Sequence, residues 1–175
     1  MYLYINKMSK YSEKNTNIKK RDTPNDIFIT PLDLAKLHID YINFKPEEIW
    51  YDPFKNSGSY YNQFPTENKC WSEILENKDF FEFNDKVDII CSNPPYSMID
   101  DVLKKSIELN PRVISYLIGY GNLTARRMEF MENAGYKITT FHLTKVYKWF
   151  GMSSIIVWEK TENKSILNFD RKVWK

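Results

Sequence analysis

The most informative run of this sequence is Val87-Asp88-Ile89-Ile90-Cys91-Ser92-Asn93-Pro94-Pro95-Tyr96. Its first part is nearly all apolar, which is typical of a strand covered on both faces. The second part contains two consecutive prolines, which fix the backbone and remove two N–H donors. The sequence therefore predicts a buried parallel strand that runs directly into a rigid loop.

Strands and helices alternate on both sides of this stretch. Short apolar or β-branched runs predict strands at 49–51, 69–73, 79–81, 87–92 and 112–119, followed by a hairpin of 137–150 and 153–160. Helices are predicted at 31–43, 60–64, 97–109 and 124–133, the first with Thr30 as N-cap and Pro31 at its first position. This order predicts an α/β fold: a three-layer sandwich with a mostly parallel seven-stranded sheet and one antiparallel strand. Little sequence separates Asp52 from Asn93, so we expect reduced crossover helices.

Length and composition indicate one soluble domain. The chain has 175 residues, of which 42% are hydrophobic and 27% charged, so collagen, coiled coils and wholesale disorder are excluded. No apolar run approaches the roughly 18–20 residues of a membrane-spanning helix, and the first residues do not form a secretory signal. The histidines and cysteines form no metal-binding pattern. We expect an intracellular, cytoplasmic protein in a reducing compartment, without a metal or a membrane.

The charge is unevenly distributed. Residues 1–25 contain six Lys or Arg against two Asp or Glu, whereas the net charge of the whole chain is only +2. We expect a flexible basic arm over 1–25, a folded domain over 26–165 and a C-terminal tail over 166–175. The arm is either a solvated leader or a nonspecific contact for phosphates.

The two unusual loops are expected to face one pocket. Asp52-Pro53-Phe54 and Asn93-Pro94-Pro95-Tyr96 follow strands that should be neighbours at the switch point of the sheet, where ligands bind. The prolines leave mainly acceptors, the Asn93 side-chain oxygen and the Pro94 carbonyl. Such a site suits a ligand with its own N–H groups, for example an exocyclic amine on a ring that stacks on Tyr96. The alternative is a proline-rich turn that only ends a core strand.

Four motifs, in this order along the chain, resemble those of the amino-methyltransferases that modify adenine in DNA. They are Phe28-Ile29-Thr30-Pro31, Asp52-Pro53-Phe54 with Ser57 and Gly58, Asp79-Phe80-Phe81, and Asn93-Pro94-Pro95-Tyr96. The first resembles the N-terminal cofactor motif, the second the cofactor loop and the third the segment that holds the cofactor's adenine. The fourth is identical to the catalytic Asp/Asn-Pro-Pro-Tyr motif. Glu73 is similar to the acidic residue that binds ribose hydroxyls.

The resemblance implies the Rossmann-like fold of class I methyltransferases over 26–165 and S-adenosylmethionine as the cofactor. Asp52 is then expected to pair with the ammonium of the cofactor, and Asn93 and Pro94 to hold the N6 amine of a DNA adenine that is flipped out or single-stranded. The same tetrapeptide also serves enzymes that act on RNA adenines or on the glutamine amide of release factors. A fourth interpretation is a catalytically silent relative that binds cofactor or nucleic acid.

Two features depart from the family pattern. Asn56 stands where the family has its first glycine, and Asn is among the few other residues that tolerate a positive φ. No insertion is large enough for a target-recognition subdomain. Recognition is therefore expected from the segment after Tyr120, residues 145–152 and the basic arm, or from a partner subunit or self-association. The Lys/Asn/Ile-rich composition and the small size suggest a phage or viral form.

Overall fold

The computed structural model describes residues 28–146 and 151–172. The basic arm expected over 1–25, residues 147–150 of the expected hairpin and the last three residues of the expected tail lie outside the described residues. Within the described ranges, no helix has the length and apolar character needed to cross a membrane.

The described residues form one sheet of six strands. Its order is β2-β1-β3-β4-β6-β5. The strands are β1 (Trp50–Asp52), β2 (Lys69–Trp71), β3 (Ile89–Ser92), β4 (Val113–Gly119), β5 (Tyr136–Thr144) and β6 (Ser153–Lys160). Strands β1 to β4 pair in parallel, and β6 is antiparallel to both β4 and β5. The mostly parallel sheet with one antiparallel strand is thus confirmed.

The prediction of a seventh strand is wrong. The segment predicted as a strand at 79–81 contains a 3-10 turn, Phe80–Glu82. The Asp79 carboxylate accepts a hydrogen bond from the Phe81 backbone N–H at 2.9 Å and so caps this turn. Short polar side chains at such positions offer the backbone a local alternative to strand pairing.

Within residues 28–146 and 151–172, three α-helices cover the sheet: α1 (Leu32–Asp40), α2 (Ile99–Glu108) and α3 (Ala125–Asn133). The helix predicted at 60–64 is instead a 3-10 turn, Tyr61–Gln63. Between β1 and β3 the only helical segments are 3-10 turns, on either side of β2, which confirms the reduced crossover connections. The prediction of Thr30 as the N-cap of α1 is wrong, because Pro31 holds that position and the Thr30 hydroxyl accepts a hydrogen bond from Asn93.

The hydrophobic core lies on both faces of the sheet. Tyr51 and Ile90 belong to one core cluster, which also contains residues of α2 and α3. Their neighbours Trp50 and Ile89 belong to the other cluster, which contains residues of α1. This alternation follows from the two-residue period of a strand. Since the central strands β1, β3 and β4 are buried on both faces, their ends are where a ligand can approach them.

Candidate functional site

The loops after β1 and β3 meet at the carboxyl edge of the sheet. These two strands are hydrogen-bonded neighbours, as expected, and the strand order reverses between them. The Ser92 hydroxyl donates to Asp52 Oδ1 at 2.6 Å and joins the last residues of the two strands. The switch point of the sheet is therefore built from the two loops that the sequence singles out.

Asp52 is fully buried and organises the backbone around it. Its carboxylate also accepts hydrogen bonds from the N–H groups of Phe54 and Tyr61, each at 3.2 Å. Burial raises the pKa of Asp52 to about 7, although the hydrogen bonds from Ser92 and the two backbone N–H groups oppose this increase. Asp52 thus lies behind the loop, where it fixes the start of the loop.

The loop from Lys55 to Ser59 turns tightly through two residues with positive φ. Asn56 has φ 46° and Gly58 has φ 86°, so Asn56 adopts the left-handed conformation expected for it. The Asn56 N–H donates to Glu73 Oε2 at 2.8 Å, and the Gly58 N–H donates to the Lys55 carbonyl at 2.7 Å. Asn56, at the position where the motif that the loop resembles has glycine, therefore leaves the loop able to turn.

Glu73 follows β2 and joins two segments of the site. One carboxylate oxygen accepts the Asn56 N–H, and the other accepts the Leu75 N–H at 3.1 Å. It thereby caps the 3-10 turn Ile74–Glu76. This turn presents two apolar side chains to solvent, since Ile74 is 64% and Leu75 71% exposed.

These segments enclose a cavity of about 710 Å³, within the size range of small-molecule sites. Its walls come from the segment before α1, the loop after β1, the turn after β2 and the loop after β3. Seven of the predicted site residues lie in its wall: Phe28, Thr30, Phe54, Ser57, Glu73, Asn93 and Pro95. The motifs expected to share one pocket are therefore brought together.

The other predicted site residues lie outside the cavity wall: Pro31, Asp52, Pro53, Gly58, Asp79, Phe80, Pro94 and Tyr96. Phe80 is 3% exposed and packs edge-on against Phe54, with ring centroids 5.1 Å apart, so its ring supports the wall from the core. Tyr96 begins the 3-10 turn Tyr96–Met98 and packs half-buried against the core. The roles expected for Asp52, Phe80 and Tyr96 at the ligand stay predictions.

Asn93 presents an oxygen without a donor. Its Nδ2 donates to Thr30 Oγ1 at 3.2 Å, which fixes the orientation of the amide. Its Oδ1 is buried and accepts no hydrogen bond from any of the described residues. A buried acceptor that lacks a partner costs about 1–3 kcal/mol. An N–H group that reaches Asn93 from the cavity relieves this cost.

The remaining wall residues are not among the predicted site residues: Ile29, Lys55, Asn56, Ser59, Tyr60, Ile74, Leu75, Ser97 and Met98. Most of them are immediate neighbours of predicted residues in sequence, so their place follows from the loops that contain them. Tyr60 is different, since it is buried and contacts groups far away in sequence. The apolar pair after Glu73 is a signal that only the structure gives, because its meaning depends on the exposure of Ile74 and Leu75.

The fold is similar to those of several solved structures. A candidate RNA methyltransferase from Pyrococcus horikoshii has a TM-score of 0.59 at 17% identity, covering 75% of this chain and 81% of that one. Magnesium protoporphyrin IX methyltransferase from Synechocystis PCC 6803, with bound S-adenosylmethionine, has a TM-score of 0.59 at 13% identity, over 74% and 78%. A methyltransferase from Pyrococcus furiosus has a TM-score of 0.54 at 13% identity, over 89% and 98%.

No family model matches the sequence, and neither does any curated protein. The likeness is one of architecture, at identities of 13–17% for the three structures named. The chain therefore has the Rossmann-like fold of the class I methyltransferases, as its motifs imply.

Proposed function

We propose that this protein transfers the methyl group of S-adenosylmethionine to the exocyclic N6 amine of adenine in DNA. The observation that carries the proposal is the buried Asn93 Oδ1, an acceptor without a donor among the described residues, at the wall of a cavity. The two prolines that follow have no N–H to offer it. A ligand that supplies N–H groups meets this requirement, and an exocyclic amine does so.

The residues around the cavity fit the cofactor. The volume of about 710 Å³ suits a ligand of this size, and the glycine-containing loop brings backbone close to the space. Glu73 offers a carboxylate for ribose hydroxyls, and Ile74 and Leu75 offer an apolar surface for a planar ring. When bound there, S-adenosylmethionine supplies an electrophilic methyl group on a positively charged sulfur.

The role of the chain is to hold the amine. One amine hydrogen is directed to Asn93 Oδ1 and the other to the Pro94 carbonyl, while Tyr96 stacks on the base. With both hydrogens held, the nitrogen lone pair points away from these acceptors. This is catalysis by positioning and by preorganised electrostatics. Neither a metal nor a covalent intermediate is required.

DNA is the proposed partner because the motif set, including Asp52-Pro53-Phe54, resembles that of the DNA enzymes. The deciding experiment incubates the protein with labelled S-adenosylmethionine and duplex DNA, single-stranded DNA, structured RNA or a glutamine-containing peptide. We expect label in DNA, recovered as N6-methyladenine after nuclease digestion and mass spectrometry. Label in RNA or peptide alone contradicts the DNA assignment, and no transfer to any substrate despite cofactor binding favours a silent binding protein.

Replacing Gly58 with Ala tests whether the left-handed turn of the loop serves the cofactor. Gly58 (φ +86°) and Gly135 (φ +87°) have nearly the same φ, but an added Cβ lies 2.6 Å from Asn62 Nδ2 only at Gly58; at Gly135 it meets no described atom within 4 Å. Each alanine should cost about 1–2 kcal/mol of unfolding free energy, measured by urea denaturation.

Only Gly58→Ala should also weaken S-adenosylmethionine binding, by about tenfold in calorimetric titration, equivalent to about 1.4 kcal/mol. Gly135 lies between α3 and β5, so Gly135→Ala is the matched control for backbone strain. Equal cofactor affinity of the two variants contradicts a role of this loop in cofactor binding.

A further inference from the structure

The carboxyl edge of the sheet has a step between β3 and β4. Ser92, the last residue of β3, pairs with Tyr116, and β4 continues beyond this pair to Gly119. At about 3.3 Å per residue, β4 extends roughly 10 Å beyond the end of β3. Gly119 pairs with Ser153 of β6, and Ser153 pairs with Thr144 of β5, so these three strands reach the same level.

The candidate cavity occupies only the lower part of this edge. β1 and β2 end at the paired residues Asp52 and Trp71. Tyr51 pairs with Ile90, so both strands end close to the level at which β3 ends. The cavity wall comes from residues 28 to 98 and contains, among the described residues, none that follows β4 or β5. A ligand in the cavity therefore leaves the raised part of the edge for another contact.

The raised part presents large apolar side chains to solvent. Tyr120, Leu143 and Met152 are 55%, 48% and 40% exposed. Tyr120 follows β4 directly, and its backbone N–H donates to the Met152 carbonyl at 2.8 Å, so the two residues are neighbours. Large apolar side chains that are exposed together mark binding surfaces. We call Tyr120, Leu143 and Met152 the raised surface.

Two arginines at the start of α3 share one carboxylate close to the loop after β4. Asp100, in the first turn of α2, accepts hydrogen bonds from Arg126 Nη2 at 2.6 Å and from Arg127 Nε at 2.7 Å. Arg127 also donates to the Asn122 carbonyl at 2.7 Å and so ties the loop after β4 to α2. One carboxylate neutralises only one of the two guanidinium groups. The remaining positive charge is presented by Arg126, whose side chain is 64% exposed against 18% for Arg127.

The chain segments of the raised part carry no opposing charge. Residues 117–125, 141–146 and 151–155 contain neither Asp nor Glu, and Lys145, just after β5, is exposed. An exposed aromatic ring beside positive charge is the combination that binds single-stranded nucleic acid, because bases stack on the ring and phosphates pair with the cations.

We propose that the raised surface binds the target DNA strand beside the reacting adenine, with Tyr120 stacking on a flanking base and Arg126 pairing with a phosphate. The choice of DNA rests on the function proposed for Asn93. The adenine then lies at the foot of the step, and the strand continues over the raised part, on the side of Asn93 away from the cavity. This gives a chain without a recognition subdomain a contact for its substrate.

The first test measures binding of a fluorescent single-stranded DNA of about twelve nucleotides, one adenine among thymines, by anisotropy with the full chain. Tyr120→Ala should weaken binding about tenfold, the usual effect of losing one stacked base, and Tyr120→Phe should stay within about twofold of the parent protein. Phe44→Ala is the matched control, because Phe44 is a partly exposed aromatic residue before β1, at the opposite edge of the sheet. Equal affinities of Tyr120→Ala and Phe44→Ala overturn the proposal.

The second test measures the same affinities at several salt concentrations. Arg126→Gln should reduce the slope of log Kd against log salt concentration by about 0.7, the value for one phosphate contact on a single strand. Lys160→Gln removes the same charge at the exposed end of β6, on the opposite edge of the sheet, and should leave the slope unchanged. Equal slopes in these two variants overturn the phosphate contact of Arg126.

The third test locates the strand without any variant. The same DNA, with 5-iodouracil beside the adenine, should crosslink to Tyr120 on irradiation, as identified by mass spectrometry of the peptides. Crosslinks only to residues outside the raised part overturn the proposal. Self-association that is lost in Tyr120→Ala while DNA affinity is unchanged, measured by sedimentation, would assign the raised surface to a second copy of this chain instead.

Activity separates this inference from the proposed function. Tyr120-dependent DNA binding in a protein that methylates none of the substrates retains the raised surface and rejects the proposed function. Methylation of DNA with the same KM in Tyr120→Ala as in the parent protein rejects the raised surface and retains the proposed function.

Discussion

Asn93→Ala is expected to reduce the rate of methyl transfer by about 10²–10³-fold, the usual cost of removing one preorganised polar group from an active site. The side chain supplies the unpaired Oδ1 at the cavity wall. The rest of that wall stays in place, because Phe54, Ser57 and Glu73 belong to other segments. Cofactor affinity should therefore stay within about twofold of the parent value, the pattern of a residue that acts mainly in the transition state.

The measurement is single-turnover methyl transfer beside calorimetric titration of S-adenosylmethionine. Asn93→Asp is the informative companion, since it keeps the buried oxygen that lacks a donor and loses the Nδ2 donor to Thr30. Its rate should lie between those of the parent protein and Asn93→Ala. An unchanged rate in Asn93→Ala would remove Asn93 from the reaction, and a matching loss of cofactor affinity would make it a cofactor-binding residue instead.

The sequence correctly predicts where the strands that carry the site end, and the reason is physical. Strands covered on both faces have continuous apolar runs, so the positions of β1, β3 and β4 are readable, and in a parallel sheet their carboxyl ends share one edge. That geometry suffices to bring Phe54 and Asn93 into one cavity from positions far apart in sequence.

What the sequence does not show are contacts that depend on how elements pack. Residues 79–81 contain two aromatic residues, which are typical of strands, but local hydrogen bonds to Asp79 and Phe80 favour a turn. His38 and Ser115 are 77 residues apart and meet because α1 covers β4. A single histidine on a helix face has no pattern that indicates such a partner. Sequence-based prediction therefore succeeds for elements whose apolar residues follow a regular pattern. It fails for single polar residues that meet only because two elements pack together.

The pH dependence of stability should reveal two buried groups with opposite effects. Burial raises the pKa of Asp52 to about 7 from an ordinary 3.8, and burial lowers that of His38 to about 3 from 6.5. The folded protein keeps Asp52 protonated where the unfolded chain releases the proton. The contribution of Asp52 to the unfolding free energy is therefore fully present below pH 3.8 and is lost as the pH rises to about 7.

His38 acts in the other direction. Between pH 3 and 6.5 the unfolded chain protonates His38 and the folded protein does not, so the unfolding free energy rises with pH in this range. One proton corresponds to about 1.4 kcal/mol per pH unit. The carboxylates of Glu48 and Asp100, whose pKa values are lowered chiefly by hydrogen bonds from Arg112 and Arg127, act only below their ordinary values of 4.5 and 3.8. Between about pH 5 and 6.5, the pH dependence of the unfolding free energy should therefore come from Asp52 and His38 and not from Glu48 or Asp100.

We expect the contributions of Asp52 and His38 to cancel in the parent protein across this range, and single substitutions to expose them. Asp52→Asn should give an unfolding free energy that rises by about 1.4 kcal/mol per pH unit, and His38→Gln one that falls by about the same amount. Urea denaturation at several pH values measures both slopes, and the constant cost of each substitution does not affect them. The double variant should again be nearly independent of pH, because it contains neither group. The unfolding free energies of the two single variants should change with pH in opposite directions. If they change in the same direction, folding shifts the pKa of at least one of these residues in the direction opposite to that expected from burial.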